Sequence, residues 1–359
     1  MLTTNSKQPE RDLNIHIQQQ MIDLYLGSLK TIPLLLSSQD AENRSTEHDV
    51  VYAEDNVKLL HYKTAGKKLH RTPLLIVYAL VNRPYILDME NRSVVKNLVD
   101  QGFDVYLIDW GIPGSHEKKL TINDYVNGYM HKCVDVVRKR SNSAKISLFG
   151  YCMGGTFSVI YTALHKERVK NLITLAPSVD CCKDTTVFAS LARFLEVDDL
   201  VDTVGNIPPV LQYLFFMMLK PFKHYVGKYN EVAENMNNGE FVDDFVKVER
   251  WLWDTPPIPG EVFRQWTKDI YQQNLLIQNR LQIGSELVNM RDIDVPLLNI
   301  IAESDHLVSP ESSKALNYAV SSKDKTLFIF PTGHIGLCAS SFSQRNVWPK
   351  VGEWLIDRS

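Results

Sequence analysis

Cys152 lies within Gly150-Tyr151-Cys152-Met153-Gly154-Gly155, directly after the mostly apolar run Ile146-Ser147-Leu148-Phe149. The order reads as a buried strand, a sharp turn with sulfur at its tip, and a helix continuing through Phe157 to His165. Glycines two residues before and two after the cysteine let strand and helix approach closely. A helix N-terminus beside the sulfur favours thiolate, its nucleophilic form. The same string also suits a tight packing turn around an inert cysteine, so a catalytic reading needs an acid and a base downstream.

Both are present. The apolar run Val295 to Ala302 leads into Glu303-Ser304-Asp305-His306, and Thr326 to Phe330 leads into Pro331-Thr332-Gly333-His334-Ile335-Gly336. Nucleophile, acid and histidine follow in the chain order of a nucleophile-elbow enzyme. Asp305 and His334 each follow a strand end, where parallel sheets place chemistry. Cys152 is then the nucleophile and His334 the base that takes its proton. Asp305 orients His334 and stabilises its cation. The oxyanion needs two backbone N–H groups. Met153 supplies one, and Val81 is the choice for the other, with Leu80 and Asn82 as alternatives. His306 is either structural or a pocket-lining residue.

The elements that hold these residues are legible as apolar runs. Val57–Tyr62, Leu74–Tyr78, Asp104–Trp110, Ile146–Phe149 and Val169–Leu175 read as strands, with helices near Ser93–Gln101 and Asp124–Arg140. Continuous apolar runs alternating with helices mean a parallel sheet covered on both faces. Residues 178–290 break the rhythm; they are rich in aromatic residues and Pro, with helical pieces at Phe245–Trp253 and Glu261–Asn279. The expected architecture is an α/β-hydrolase fold in two core parts, 50–177 and 291–359, with an inserted helical cap at 178–290. An amphipathic helical segment within 13–37 and a polar linker from Ser37 to His48 make up residues 1–49.

Composition narrows the class. At 359 residues with 44% hydrophobic and 23% charged side chains, the chain can bury a large core. A net charge of -3 gives no global basic signature for nucleic acid. Met1 to Asp12 lacks the apolar core of a signal peptide, and the longest apolar candidate, Val210 to Leu219, is too short to span a bilayer. That segment is read as cap core, with a dimer face, a lid hinge or a granule contact as alternatives. Five cysteines without metal or redox spacing point to a reduced, cytoplasmic setting, and Cys133 falls on a helical pattern suited to core packing. No metal site is expected.

Sulfur at the elbow carries further information. A cysteine that attacks a thioester exchanges one thioester for another at little free-energy change. The acyl group stays activated, and a hydroxyl can then take it downhill into an oxygen ester. Where water is excluded, this chemistry points to acyl transfer from coenzyme A.

From about residue 50 onward the chain resembles the polyhydroxyalkanoate synthases. The resemblance rests on Leu75 to Tyr85, Asp104 to Gly111, Gly150 to Gly155, Gly205-Asn206-Ile207-Pro208-Pro209, Phe263-Arg264-Gln265-Trp266, Asp305-His306-Leu307-Val308 and Gly333 to Gly336. Its short form resembles the class III catalytic subunit, which acts with a second, different subunit; class IV is the nearest rival. The resemblance implies polymerisation of (R)-3-hydroxyacyl-CoA, chiefly 3-hydroxybutyryl-CoA, onto a growing polyester chain. It also implies CoA release, a homodimer or higher oligomer, and residence at the surface of storage granules. Coenzyme A is part of the substrate and a product, so no separate cofactor is expected. The resemblance matches Cys152, Asp305 and His334, and suggests that Asp305 also helps activate the 3-hydroxyl. The competing readings are a cysteine hydrolase, such as a polyester depolymerase or thioesterase, and a non-catalytic granule scaffold.

Overall fold

The computed structural model describes residues 45–64, 66, 70–219, 235 and 239–359. The helical segment expected within 13–37, and most of residues 1–49, lie outside the described residues.

Eight strands form one sheet: β1 (His48–Glu54), β2 (Val57–Tyr62), β3 (Leu74–Val77), β4 (Val105–Asp109), β5 (Ile146–Tyr151), β6 (Val169–Leu175), β7 (Leu297–Ala302) and β8 (Lys325–Phe330). Their spatial order is β1-β2-β4-β3-β5-β6-β7-β8. The β1–β2 and β2–β4 pairs are antiparallel, and every pair from β4 to β8 is parallel. Every residue of β3, β4, β5 and β7 is buried, as continuous apolar runs between helical layers require. β1 is an additional element. Its sequence, HDVVYAE, has no fully buried residue and carries a bulge between Val50 and Tyr52, so it lacks the apolar run that marks the inner strands.

Helices Val94–Asp100, His131–Ser141, Met153–Leu164, Pro310–Ala319 and Trp348–Ile356 follow β3, β4, β5, β7 and β8 in turn. The helix expected at Asp124–Arg140 is present as a π-helical stretch, Asp124–Met130, running into α-helix His131–Ser141. Behind the nucleophile strand, Trp348 is fully buried with its ring 5.6 Å from that of Phe149.

Contacts divide the chain into two compact units. The sheet belongs to the unit formed by residues 43–211 and 255–359. This unit also holds helices Val187–Phe194, Val197–Val204 and Gly260–Gln265. The described residues of the other unit lie within 212–254 and include helix Gly239–Trp253. The helix expected to run from Glu261 to Asn279 is shorter. Its α-helical part stops at Gln265, a π-helical turn covers Trp266–Gln272, and Asn274 and Asn279 adopt left-handed φ values of 52° and 54°. The Asn274 side chain explains the stop. Its Oδ1 accepts from the Cys181 N–H and its Nδ2 donates to Asp180, both at 2.8 Å, a competing use of a side chain that favours turns over helix.

Candidate active site

The nucleophile turn is built by backbone crowding. A Cβ on Gly154 would lie 2.2 Å from the Val77 carbonyl oxygen and 2.6 Å from that of Tyr78. One on Gly150 would lie 2.4 Å from the Gly154 carbonyl oxygen. Only glycine lets β3, β5 and helix Met153–Leu164 meet at these distances. Cys152, at the helix N-cap, has φ 56° and ψ -123°, a conformation that L residues seldom adopt. The strain is held from both sides. Cys152 N–H donates to Leu175 of β6 at 2.8 Å, while its carbonyl accepts from Gly155 and Thr156 at 2.9 and 3.2 Å. The sulfur is therefore aimed at the C-terminal edge of the sheet, over the start of a 12-residue helix.

The loop after β7 brings in Asp305 and that after β8 brings in His334; both side chains are buried. Asp305 divides its two oxygens between two tasks. Oδ1 accepts from the N–H groups of Leu307 and Val308 at 2.8 and 3.0 Å, folding its own loop. Oδ2 lies 2.6 Å from His334 Nδ1, which leaves Nε2 of that ring for the sulfur side. Burial alone would lower the His334 pKa. The Asp305 charge, the Cys152 thiolate charge and hydrogen bonds with both outweigh it and raise the pKa to about 10. Asp305 and His334 are thus hydrogen-bonded to each other, and Cys152 lies near enough for its charge to act on the imidazole.

Three other cysteines are buried. Burial pushes the Cys133 and Cys338 thiols up to about 12 and the Cys181 thiol well above the ordinary range. These are packing residues; Cys152 is half-buried.

Met153 is the first residue of the elbow helix, where an N–H has no partner inside the helix. Val81 lies in the bend after β3, next to Asn82, whose φ is 58°. The Trp110 indole N–H donates to the Tyr78 carbonyl at 2.8 Å, and Asn82 Nδ2 donates to Thr255 Oγ1 at 2.5 Å, so both ends of this bend are fastened. His306 is exposed. Sequence reasoning did not anticipate Tyr151. Its buried ring stacks on that of His334 at 5.1 Å, and its hydroxyl donates to the His334 carbonyl at 3.2 Å. In the sequence it is one more apolar-strand residue; only its place next to the nucleophile marks it.

Sheet order, elbow and the acid and histidine loops together define an α/β hydrolase. The family model described as alpha/beta hydrolase fold matches residues 72–338, and the monoacylglycerol lipase of Paleococcus ferrophilus shares this fold at a TM-score of 0.50, with 17% identity over 80% of this chain and 96% of that one. A second model, poly-beta-hydroxybutyrate polymerase (PhaC) N-terminus, matches residues 42–98. The poly(3-hydroxyalkanoate) polymerase subunit PhaC of Thiocystis violacea is 40% identical over 96% of this chain and 97% of its own. The subunit of that name from Haloarcula marismortui is 45% identical over 88% of this chain and 68% of its own. The chain belongs to the poly(3-hydroxyalkanoate) polymerase subunit PhaC family, acyltransferases built on the α/β-hydrolase fold.

Proposed function

We propose that this chain polymerises (R)-3-hydroxyacyl-CoA, chiefly the short-chain 3-hydroxybutyryl thioester, through an acyl group carried on Cys152. The observation that carries this reading is the 2.6 Å hydrogen bond from His334 to Asp305 beside the Cys152 elbow, with the His334 pKa raised to about 10 by the charges of Asp305 and Cys152.

The Cys152 thiolate attacks the thioester carbonyl, and the negative charge moves to its oxygen. Backbone N–H groups of Met153 and Val81 are assigned to that oxygen. When the tetrahedral adduct collapses, the bond to the CoA sulfur breaks. The imidazolium of His334 gives its proton to that sulfur, releasing CoA and leaving acyl-Cys152. A 3-hydroxyl, from a second substrate or from the growing chain, then attacks the acyl carbon. Its proton passes to His334, an oxygen ester forms, and the Cys152 thiolate leaves. Each cycle exchanges one thioester for one ester and regenerates the ion pair. Asp305 stabilises the imidazolium, and its assigned second task is to help activate the 3-hydroxyl. CoA enters only as part of the substrate and leaves as product, and the scheme uses no cofactor.

The same reading includes a second, different subunit, self-association into a dimer or higher oligomer, and residence in the cytoplasm at the surface of polyester granules. Among the described residues, no helix is long and apolar enough to cross a membrane.

The test is full-length protein with 3-hydroxybutyryl-CoA, following free thiol and insoluble polymer together, with intact mass taken after brief exposure. Thiol release, polymer and an adduct mapped to Cys152 are expected. Thiol release with only soluble 3-hydroxybutyrate would mean hydrolysis. Full polymer formation by Cys152→Ala in a host without its own polymerase would mean a scaffold role.

A further inference from the structure

A groove of about 760 Å3 lies in the sheet-bearing unit, lined by three segments: Pro113 to Lys119 after β4, the stretch from Val201 to Pro209, and Pro257 to Arg264. Its walls are tied together. Asn206 donates from Nδ2 to the Gly114 carbonyl at 2.8 Å and accepts at Oδ1 from Gly260 N–H at 3.3 Å, so one side chain joins all three segments. Ile207 and Ile258 add a pair of backbone hydrogen bonds at 2.8 and 3.1 Å.

The charges on this groove are not balanced. Arg264 is satisfied, with ion pairs to Asp198, to Asp202 at 2.6 Å and to Glu261 at 3.2 Å. Glu117 is buried and turned inward, its Oε2 accepting from Gly114 N–H at 2.5 Å and Asn56 Nδ2 at 2.6 Å. The same short 3-10 turn, Ser115–Lys119, therefore presents Lys118 and Lys119 outward. Both lysines are exposed and neither pairs with a described carboxylate. The stem of Lys118 rests against Gly205, where a Cβ would sit 3.5 Å from its Cδ. Two ammonium groups thus stand without partners among the described residues on a braced wall, one of them with its stem laid along the groove.

Position links this groove to the chemistry. Pro113 and Pro257 also line a small slot formed with Leu80, Asn82 and Trp110. Leu80 and Asn82 flank Val81, so the slot borders the bend assigned to the oxyanion and meets the groove at two shared prolines.

We propose that this groove receives the phosphate-bearing nucleotide end of the CoA thioester, with Lys118 and Lys119 as its ionic partners. The proposal rests on the CoA-dependent reading above. Pantetheine thioesters are uncharged along most of their length, whereas the nucleotide end carries a diphosphate and a ribose phosphate. Compact ammonium groups suit such a ligand. The groove volume falls within the usual range for a site of this kind, roughly 300 to 1,000 Å3. Unpaired positive charge at its edge also raises the encounter rate with a polyanion, an effect that weakens with salt.

The test compares the full chain with the double variants Lys118→Glu/Lys119→Glu and Lys118→Gln/Lys119→Gln. Calorimetric titration with free CoA should show dissociation constants raised about tenfold by charge reversal and less by glutamine, with the gap narrowing at high salt. The ratio of kcat/KM for 3-hydroxybutyryl-CoA to that for the corresponding pantetheine thioester should fall about tenfold in step. Unchanged CoA affinity, or equal loss with both thioesters, would overturn the proposal. If the unmodified chain together with its second subunit turned over neither thioester, the catalytic reading would fail while the calorimetric comparison still decided the groove.

Discussion

The ring of Tyr151 stacks on that of His334 with centroids 5.1 Å apart and planes inclined by 29°. Tyr151 is the last residue of β5 and the neighbour of Cys152, whereas His334 stands on the loop after β8. The hydroxyl bond from Tyr151 to the His334 carbonyl, at 3.2 Å, fixes the loop as well as the ring. The strand that carries the nucleophile thus also positions the base.

This relationship separates two substitutions. Tyr151→Phe keeps the stacked ring and loses one hydrogen bond, so kcat should fall by about fivefold or less. Tyr151→Leu removes the ring as well, and kcat should fall by about tenfold or more with KM little changed. It should also move the alkaline limb of the pH–rate profile, because the imidazolium loses an aromatic face. Steady-state kinetics across pH distinguish this from a purely structural loss, which would lower activity without moving the limb.

Asp305 makes a comparable separation possible through its two oxygens. Asp305→Asn can keep an acceptor for the Leu307 and Val308 N–H groups, but it then points an amide N–H at the protonated Nδ1 of His334. Activity should fall by about a hundredfold or more while the fold persists. Asp305→Ala also strands the buried Val308 donor and the part-buried Leu307 donor, which costs about 1 to 3 kcal/mol more. Chemical denaturation of the two variants measures the gap. Equal stability would show that Oδ1 does not hold the loop.

The His334 pKa sets a pH dependence with a definite sign. It is raised from 6.5 to about 10 in the folded chain, so its contribution to stability is complete below pH 6.5 and is lost as pH rises towards 10. Folding stability should therefore decline over this interval. In Cys152→Ala the charge that helps raise the His334 pKa is gone, so His334 should titrate at lower pH and the decline should be shallower. Nuclear magnetic resonance of the His334 ring, with denaturation at pH 7 and pH 10, gives both quantities. Identical pH profiles in the two proteins would refute the ion pair.

The sequence disclosed the inner sheet well because its strands are buried on both faces, so that Leu74–Val77 reads as an unbroken apolar run and Leu297–Ala302 as one interrupted only by Asn299. The elbow glycines and the strand-end positions of Asp305 and His334 were legible for a related reason: backbone crowding and chain order restrict what can stand there. Other features depend on partners distant in sequence. β1 became a strand by pairing with β2, although none of its residues is fully buried. The early stop of the helix after Gly260 depends on Asn274 reaching Asp180 and Cys181. The place of Tyr151 depends on a histidine 183 residues further on. No local pattern records such contacts.

The elbow glycines provide the last prediction, a rank order set by distance. A methyl on Gly154 meets the Val77 and Tyr78 carbonyl oxygens at 2.2 and 2.6 Å, and neither can swing away without moving β3. One on Gly150 meets the Gly154 carbonyl oxygen and Ser158 Oγ at 2.4 and 2.5 Å. One on Gly155 meets only Gly150 O at 3.1 Å and Pro177 Cβ at 3.2 Å, contacts that a shift of a few tenths of an ångström relieves. Gly154→Ala and Gly150→Ala should each cost about 3 kcal/mol or more, and Gly155→Ala about 1 kcal/mol. Gly154→Ala should in addition displace the bend that begins at Tyr78 and carries Val81, so the folded fraction should acylate more slowly. Urea midpoints paired with the rate of Cys152 acylation test both parts. A Gly154→Ala protein as stable and as fast as the unmodified chain would show that the close approach of β3 to the elbow is not what positions the sulfur.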